Sequence, residues 1–217
     1  MIKINSFSDL KDHIYELRAV VLDLDDTLYP ERDYVRSGFC AVAEALPLVH
    51  NAEDKLFSLF ERGENAIDAL LESEGIYSDE LKDKCLSAYR NHSPMISLYE
   101  CVPELICYLK SKGYLIGIIT DGRPEGQRAK IEALDIGNLV DEIIITDELG
   151  GAEYRKPCKI AFELMRERLS ALAGEEITFA EMCYVGDNTS KDFIAPDSLG
   201  MRSIWFDNPE GLYKSGF

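Results

Sequence analysis

The most constraining feature of the sequence is a short apolar run followed at once by three acidic residues. The run is Ala19-Val20-Val21-Leu22, and Asp23, Asp25 and Asp26 occupy three of the next four positions. A short, partly β-branched apolar run that ends in polar residues predicts a buried strand with the acids at its carboxyl end. Neighbouring buried carboxylates are costly unless a cation or a proton compensates them. The stretch therefore predicts a metal site, a reaction centre, or both.

The size and charge of the chain limit the classes of function that fit it. Its 217 residues suffice for a core domain with an insertion. The net charge of -17 argues against binding to nucleic acid or to an anionic membrane. It does not exclude an anionic substrate, because Mg²⁺ and a few basic side chains can reverse the field inside a cleft.

Targeting and redox features indicate a cytoplasmic protein. No apolar stretch reaches the ~18 residues that a membrane span needs, and the first residues lack the apolar core of a targeting segment. The six cysteines include no Cys-x-x-Cys pair, which indicates reduced thiols. We therefore expect no membrane and no nucleic-acid partner, and both a monomer and a dimer are compatible with the sequence.

Two patterns divide the chain and predict an α/β core with a helical insertion. From about Glu31 to about His92, apolar residues recur at helical spacing and no segment is typical of a strand. Outside that block, short buried strands alternate with helices, which predicts a doubly wound parallel sheet. The predicted strands are Ala19–Leu22, Tyr114–Ile119, Glu142–Ile145, Met182–Val185 and Ser203–Phe206, and the predicted helices around them are Ser8–Leu17, Pro103–Lys112, Pro124–Gly137, Pro157–Leu169 and Lys191–Leu199. We assign residues 1–29 and 95–217 to the core and residues 30–94 to the insertion.

Polar residues follow the strands at the edge where parallel sheets bind ligands. These residues are Asp23 and Asp25 after the first strand, Thr120, Asp121 and Gly122 after the second, Asp187 and Asn188 after the fourth, and Lys156 before the helix that leads to the fourth. Because the carboxyl ends of parallel strands meet at one edge, we expect this set to converge.

The converging side chains suit transfer of a phosphoryl group to an aspartate. A carboxylate such as Asp23 can attack a phosphate dianion when a divalent cation and a lysine offset the repulsion. With Asp187 also ionised, Mg²⁺ and Lys156 leave one negative charge uncompensated. We therefore expect Asp25 to be protonated, as a general acid must be. Mg²⁺ takes few protein carboxylates and retains waters, which fits two aspartates and a backbone carbonyl.

Four segments together resemble the motifs of the haloacid dehalogenase superfamily. Asp23-Leu24-Asp25-Asp26-Thr27-Leu28 resembles the first motif, Asp-x-Asp-x-Thr, and Ile118-Ile119-Thr120-Asp121-Gly122 resembles the second. Arg155-Lys156-Pro157 resembles the third motif, and the segment from Val185 to Phe193 resembles the fourth. Because all four occur in order and at fitting spacing, the resemblance covers the whole chain.

The resemblance implies a fold, a cofactor and a set of roles. The fold is a Rossmann-like sheet with strand order 5-4-1-2-3, and the helical insertion is the small cap of the superfamily. Asp23 is implied as nucleophile and Asp25 as general acid and base. The implied Mg²⁺ ligands are Asp23, Asp187 and the backbone carbonyl of Asp25.

Other residues are implied to bind phosphate or to orient the site. The phosphate-binding residues are Thr120, Asp121, Gly122 and Lys156, and the orienting residues are Asn188 and Asp192. We expect Asp192 to orient Lys156 or the surroundings of the metal.

Further residues are candidates for contacting the substrate. Asp121 stands where many relatives have Asn or a small residue. Arg123 and Arg155 would reach an anionic substrate, although exposed arginines are more often solvated. Tyr29 and Tyr34 lie nearest the predicted hinge and would line the site, unless they only pack.

The expected function is a Mg²⁺-dependent phosphatase that acts on a small phosphorylated metabolite, a sugar phosphate or a nucleoside monophosphate, through an aspartyl phosphate. Three alternatives remain open. A phosphomutase would return the phosphoryl group to another hydroxyl. A haloacid dehalogenase works without metal and lacks an acid at the position of Asp25. A non-catalytic relative would bind a ligand without turnover.

Overall fold

The computed structural model describes residues 1–212. Backbone proximity divides the chain into two compact units, one comprising Met1–Glu31 and Ser97–Phe217 and the other comprising Arg32–Ile96. The first is an α/β unit, and the described elements of the second are all helices. Each of the two chain crossings lies two residues from the boundary proposed from the sequence.

The α/β unit contains, within the described residues, one sheet of six parallel strands. The strands are β1 (Ile2–Ile4), β2 (Ala19–Leu22), β3 (Leu115–Thr120), β4 (Glu142–Ile145), β5 (Met182–Gly186) and β6 (Arg202–Phe206). Their order across the sheet is β1-β6-β5-β2-β3-β4. The five predicted strands keep the order 5-4-1-2-3, but that order is wrong as a description of the whole sheet, because β1 adds an edge strand beside β6. A strand of three residues is too short for its alternation to be recognised in the sequence.

The helices alternate with these strands or form the second unit. They are α1 (Phe7–Leu10), α2 (Glu31–Ala45), α3 (Ala52–Glu61), α4 (Ala66–Ser73), α5 (Asp79–Arg90), α6 (Val102–Ser111), α7 (Pro124–Ala133), α8 (Ile160–Ala173) and α9 (Ile194–Leu199). None of the helices in the described part of the chain is both long enough and apolar enough to cross a bilayer.

The middle of the sheet is the point where the chain reverses direction across it. Leu22, the last residue of β2, pairs with Ile118 on β3 and with Val185 on β5. The chain runs outward from β2 to β3 and β4, and then returns to the other side of β2 with β5 and β6. Such a reversal is where open α/β sheets bind ligands, beyond the carboxyl ends of the strands.

Burial on both faces explains why the central strands are continuously apolar. All four residues of β2 are fully buried. On one face, Val21 and Ile119 belong to a core cluster with Phe162 and Met165 of α8. A Cβ at Gly117 would lie 2.5 Å from the Met165 sulfur, so the glycine permits α8 to approach the sheet closely. Each large apolar side chain buried in this way stabilises the fold by about 1.5–3 kcal/mol relative to its exposed state.

The helical unit has an apolar core of its own, formed by α2 to α5. Its buried residues include Val35, Phe39 and Val42 on α2, Leu56 on α3, Ile67, Leu70 and Leu71 on α4, and Cys85 on α5. The Phe39 and Tyr89 rings lie 5.6 Å apart, which joins α2 to α5. The predicted helical spacing therefore corresponds to packed faces of four helices.

The helix predicted from Pro103 begins one residue earlier, at Val102, and three more predicted helices also begin at other residues. The helix predicted over Ser8–Leu17 is the short α1, followed by a 3₁₀ turn at Lys11–His13. Its cap is Ser6, whose Oγ accepts the Ser8 N–H at 3.2 Å, while Asp9 Oδ2 accepts the Ser6 N–H at 3.2 Å. This reciprocal pair forms a capping box at the start of α1.

The other two corrections concern the helices that follow the third and fourth motifs. Pro157 does not begin α8, because a turn closed by the Cys158 N–H and the Arg155 carbonyl at 2.9 Å precedes the helix and contains a cis Lys156–Pro157 peptide. Likewise, the helix predicted from Lys191 begins at Ile194. Both loops carry side chains of the site. If these segments were helical, as predicted, those side chains would point in other directions.

Candidate active site

The predicted residues converge at the carboxyl edge of the sheet, around a cavity of about 320 Å³. Six of them line the cavity: Asp23, Asp25, Asp121, Lys156, Asp187 and Asn188. Arg155, a candidate for contacting the substrate, also lines the cavity, together with Glu31 and Lys191. The lining contains both acidic and basic groups, so the electrostatics of the cavity depend on which of them are paired.

Lys156 is completely buried and connects two acids of the site. Its Nζ lies 2.6 Å from Asp23 Oδ1, 2.8 Å from Asp192 Oδ1 and 2.8 Å from the Tyr184 hydroxyl oxygen. Burial favours the neutral amine, but the charges of Asp192 and Asp23 outweigh it and hold the pKa of Lys156 well above its usual value. Lys156 is therefore a fixed cation beside Asp23.

Three buried carboxylates, two of them in contact with Lys156, lie close together. One oxygen from each of Asp23, Asp187 and Asp192 lies within 4.8 Å of the others. Burial and the Asp192 charge raise the pKa of Asp23 to about 7 in spite of Lys156. Burial and the charges of Asp23 and Asp192 raise the pKa of Asp187 to about 8. One lysine does not balance three carboxylates, and this all-oxygen donor set fits a hard divalent cation such as Mg²⁺.

Asp25 lies among hydrogen-bond donors. Lys130 Nζ is 2.7 Å from Asp25 Oδ1, the Tyr29 hydroxyl donates to the same oxygen, and Gln127 Nε2 is 2.9 Å from Oδ2. Burial opposes ionisation, but Lys130 and the hydrogen bonds hold the pKa of Asp25 below its usual value. The charge balance drawn from the sequence did not include Lys130, which favours an ionised Asp25 in the free site.

Thr120 and Gly122 lie at the end of β3 but do not line the cavity. Thr120 is fully buried, and its Oγ1 accepts a hydrogen bond from Gln127 Nε2 at 2.5 Å, which leaves the hydroxyl hydrogen available. Gly122 has φ of +139°, a backbone conformation that L side chains rarely adopt. The turn after β3 therefore depends on a glycine at this position.

Asp121 ties together the loops that follow β3, β4 and β5. Its Oδ1 accepts the Thr146 hydroxyl at 3.1 Å and the Lys156 backbone N–H at 3.0 Å, and its Oδ2 lies 3.0 Å from Lys191 Nζ. Burial opposes ionisation, but Lys156 and Lys191 lower the pKa of Asp121. All the charge of Asp121 is thus engaged within the protein, which favours an organising role over contact with substrate.

Comparison with known proteins identifies the family. The sequence profile of the haloacid dehalogenase-like hydrolases matches residues 20–206. This chain belongs to that family. The resemblance inferred from the four motifs is thereby confirmed, and the protein is a hydrolase.

Two relatives are similar over most of their length. Glyceraldehyde 3-phosphate phosphatase of Methanocaldococcus jannaschii is 27% identical over 205 residues, covering 87% of this chain and 84% of the relative. Ribulose-1,5-bisphosphate 5-phosphatase of Halopiger xanaduensis is 26% identical over 216 residues, covering 88% of this chain and 85% of the relative.

Solved structures of the family share the fold. A hydrolase from Bacillus subtilis, crystallised with magnesium, has a TM-score of 0.65 at 18% identity, with 88% of this chain and 86% of that chain covered. A hydrolase from Geobacter sulfurreducens has a TM-score of 0.65 at 15% identity, with 89% of each chain covered. The predicted class, a Rossmann-like α/β fold, is confirmed.

The fourth-motif loop of the hydrolase is held by its own backbone and by the core. Asn188 Oδ1 accepts the Ser190 N–H at 3.0 Å, and Asp192 Oδ2 accepts the Asn188 N–H at 2.9 Å. Trp205 Nε1 donates to the Asp187 carbonyl at 3.0 Å. Asn188 thus shapes the loop, and Asp192, which is fully buried, contacts Lys156 directly.

Two of the predicted substrate contacts lie outside the cavity lining of the α/β unit. Tyr29 is fully buried and its hydroxyl donates to Asp25, so it supports the site. Arg123 is exposed at the N-terminus of α7. Tyr34 belongs to the helical unit, where its ring lies 4.9 Å from the His92 ring.

Arg155 does line the cavity, but its charge is already paired. Its Nε and Nη2 lie 2.7 and 2.6 Å from the two carboxylate oxygens of Asp147. Lys191, the other peripheral cation of the cavity, is paired with Asp121. Within the part of the chain that the structure describes, no cation of the cavity lining is therefore left over for a second anionic group.

Several residues of the site were not predicted from the sequence. Gln127 and Lys130 lie three positions apart on α7, and both are buried. Two polar residues at core spacing on one helix face were the available signal. Lys191 and Tyr184 carried no signal that separates them from ordinary surface and core residues.

Glu31, at the start of α2, was also missed. Burial and the charges of Asp25 and Asp26 raise the pKa of Glu31 to about 8. Asp26 itself accepts the backbone N–H groups of Glu31 at 2.9 Å and Leu212 at 2.7 Å. Each carboxylate oxygen of Asp26 thus accepts a backbone hydrogen bond.

Proposed function

We propose that this hydrolase is a Mg²⁺-dependent phosphatase of a small phosphorylated metabolite, a sugar phosphate or a nucleoside monophosphate, that works through an aspartyl phosphate on Asp23. The observation that carries the proposal is the pairing of Asp23 with the buried cation Lys156 inside a cluster of further carboxylates. A carboxylate in such a place can attack a dianion, because opposite charge is already fixed around it. The names of the two relatives, a glyceraldehyde 3-phosphate phosphatase and a ribulose-1,5-bisphosphate 5-phosphatase, support a sugar phosphate as substrate.

The cofactor follows from the donor set. Mg²⁺ would be held by the carboxylates of Asp23 and Asp187 with the Asp25 backbone carbonyl, and when bound it would offset the crowded acids and the phosphoryl oxygens. Asp192 would stay on Lys156 and keep that cation in place. Thr120 would offer its free hydroxyl hydrogen to a phosphoryl oxygen.

The reaction proceeds in two balanced stages. In the first, a carboxylate oxygen of Asp23 forms a bond to phosphorus while the bond from phosphorus to the ester oxygen breaks. The electron pair leaves on the ester oxygen, and Asp25 donates a proton to it, which releases an alcohol. The negative charge of bound substrate favours this proton on Asp25, although the free site does not. In the second stage, Asp25 takes a proton from water as the water attacks phosphorus, which releases phosphate and restores Asp23.

We propose further that residues 30–94 serve as the cap of this hydrolase. A cap would exclude bulk water from the aspartyl phosphate, and its contacts would select the organic part of the substrate. Substitutions such as Tyr34→Phe would then change the relative kcat/KM among substrates, because only the part of the substrate beyond the phosphate would be affected. Equal effects on all substrates would contradict this role for Tyr34.

A phosphate-release screen over phosphorylated metabolites tests the proposed function. Release should require Mg²⁺, stop with a chelator and vanish in Asp23→Asn, while the exposed-site control Asp135→Asn keeps full activity. Radiolabelled phosphate should remain on the acid-quenched protein and be absent from Asp23→Asn. Full activity in Asp23→Asn would refute the nucleophile, and isomerisation of a sugar phosphate without net release would indicate a mutase.

A further inference from the structure

We propose that Gln127 and Lys130 are positioning residues that hold Asp25 in the orientation for proton transfer to the leaving alcohol. The inference rests on the proposed function and adds two residues of α7 to it. It also assigns the transfer to one oxygen of Asp25, the Oδ2 atom.

The Lys130 side chain is buried and forms an ion pair with Asp25. Only 8% of its side chain is exposed, and its Nζ lies 2.7 Å from Asp25 Oδ1. A lysine is rarely buried to this extent unless an opposite charge compensates it. The ion pair therefore fixes both partners, and it does so from a helix anchored beside the reacting centre.

Gln127 holds the second oxygen and connects it to the end of β3. Its Nε2 lies 2.9 Å from Asp25 Oδ2, 2.5 Å from Thr120 Oγ1 and 2.8 Å from the Asp121 carbonyl. Gln127 as a whole residue is 2% exposed. A Cβ at Gly122 would approach Gln127 to 3.3 Å, so the glycine turn leaves the space that this amide occupies. Gln127 thereby couples the acid to the proposed phosphate-binding threonine.

The pattern of donors distinguishes the two oxygens of Asp25. Among the described residues, Oδ1 accepts hydrogen bonds from Lys130 and Tyr29, whereas Oδ2 accepts one from Gln127. A carboxylate oxygen has two acceptor positions, so Oδ1 is filled and Oδ2 has one position left. The proton that passes to the ester oxygen therefore sits on Oδ2. The proton moves to the ester oxygen as the bond from phosphorus to the ester oxygen breaks. The Asp25 carboxylate that remains is stabilised by the same donors.

A positioning role predicts a dependence on the leaving group. An alkoxide leaves with difficulty unless it is protonated, whereas 4-nitrophenolate leaves without a proton. A change that misplaces Asp25 should therefore reduce kcat/KM for an alkyl phosphate far more than for an aryl phosphate. A change that only loosens the fold should reduce both alike.

The test compares kcat/KM for glycerol phosphate and 4-nitrophenyl phosphate in Lys130→Met, Gln127→Leu and the exposed control Arg128→Met on the same helix. We expect both α7 variants to lose about 100-fold or more on the alkyl ester, within the usual contribution of general acid catalysis, and only a few-fold on the aryl ester. Arg128→Met should match wild type on both. If Lys130→Met does not fold, Lys130→Arg and Gln127→Leu carry the same test.

A double-mutant cycle shows whether the effect passes through Asp25. Asp25→Asn alone should show the same leaving-group selectivity, and adding Lys130→Met to it should cause no further selective loss. Equal losses on both esters, or full additivity with Asp25→Asn, would overturn the inference while leaving the phosphatase intact. A wild-type protein that hydrolyses neither ester nor any metabolite would overturn the proposed function itself, and the inference with it.

Discussion

Replacing Lys156 by Met removes the cation that two buried aspartates share. Methionine keeps the unbranched stem, so packing changes little, but Asp23 and Asp192 are left facing each other. Removing one partner of a buried ion pair costs about 3–5 kcal/mol, because the remaining charge is uncompensated. For a chain of this length that corresponds to a decrease in Tm of roughly 6–20 °C.

The assay is urea unfolding followed by the fluorescence of Trp205, the single tryptophan, which lies in the core cluster of the α/β unit. The measurements are made with a chelator, so that the change in stability reflects the ion pairs and not bound metal. Lys159→Met, an exposed lysine three positions further on, controls for the substitution itself. Adding Asp192→Asn to Lys156→Met should recover part of the lost stability, because it removes one unpaired charge.

The reasoning would be refuted by a loss below about 1 kcal/mol, equal to that of Lys159→Met, since surface substitutions cost this little. The deficit should also shrink when the pH is lowered. Protonation of Asp23 relieves the repulsion in the variant, whereas the wild type gains less from it. A deficit that is unchanged between pH 8 and pH 5 would show that charge is not its cause.

Three further predictions concern metal, substrate and loop. Asp187 and Asp23 have folded pKa values raised to about 8 and about 7, so their contribution to the stability of the metal-free protein is largest below about pH 4 and falls as the pH rises to about 8. The Tm increase caused by Mg²⁺ should therefore be larger at pH 8 than at pH 5. An equal increase at both pH values would contradict the metal site. Glu31→Gln should strengthen inhibition by inorganic phosphate roughly tenfold at pH 9, where Glu31 is charged, with little effect at pH 6. If the inhibition constants of the variant equal those of the wild type at both pH values, Glu31 does not face the anion. Gly186→Ala would place a Cβ 2.5 Å from Asp192 Oδ2 and should weaken Mg²⁺ binding in calorimetry by about tenfold or more, whereas Gly137→Ala, where the nearest atom is 3.5 Å away, should bind Mg²⁺ as wild type does.

The local patterns of the chain were sufficient to locate the site along the sequence. The apolar run before Asp23 and the one before Thr120 are both buried strands, and they end at the same edge because they are parallel. Strands buried on both faces have a recognisable composition, and so have the glycines and acids that follow them. The helical spacing of residues 30–94 is likewise a local property.

The state of Asp25 was not a local property. It depends on Lys130, which is 105 residues away along the chain and was absent from a charge balance restricted to the motif residues. The pairing of Lys191 with Asp121 spans 70 residues and also has no signature in either segment. Such contacts are selected by the packing of α7 and of the fourth-motif loop against the sheet edge.

The division between sequence and structure therefore follows the range of the interactions. By itself the sequence determined the α/β class, the helical insertion and the identity of the acids at the strand ends, since periodicity and strand-end chemistry act over a few residues. Only the tertiary structure decided the edge position of β1, the engagement of Asp121 and Arg155 by other residues, and the donors around Asp25. These features depend on burial and on distances of about 3 Å between residues far apart in the chain, where a partner changes the charge and the direction of a side chain.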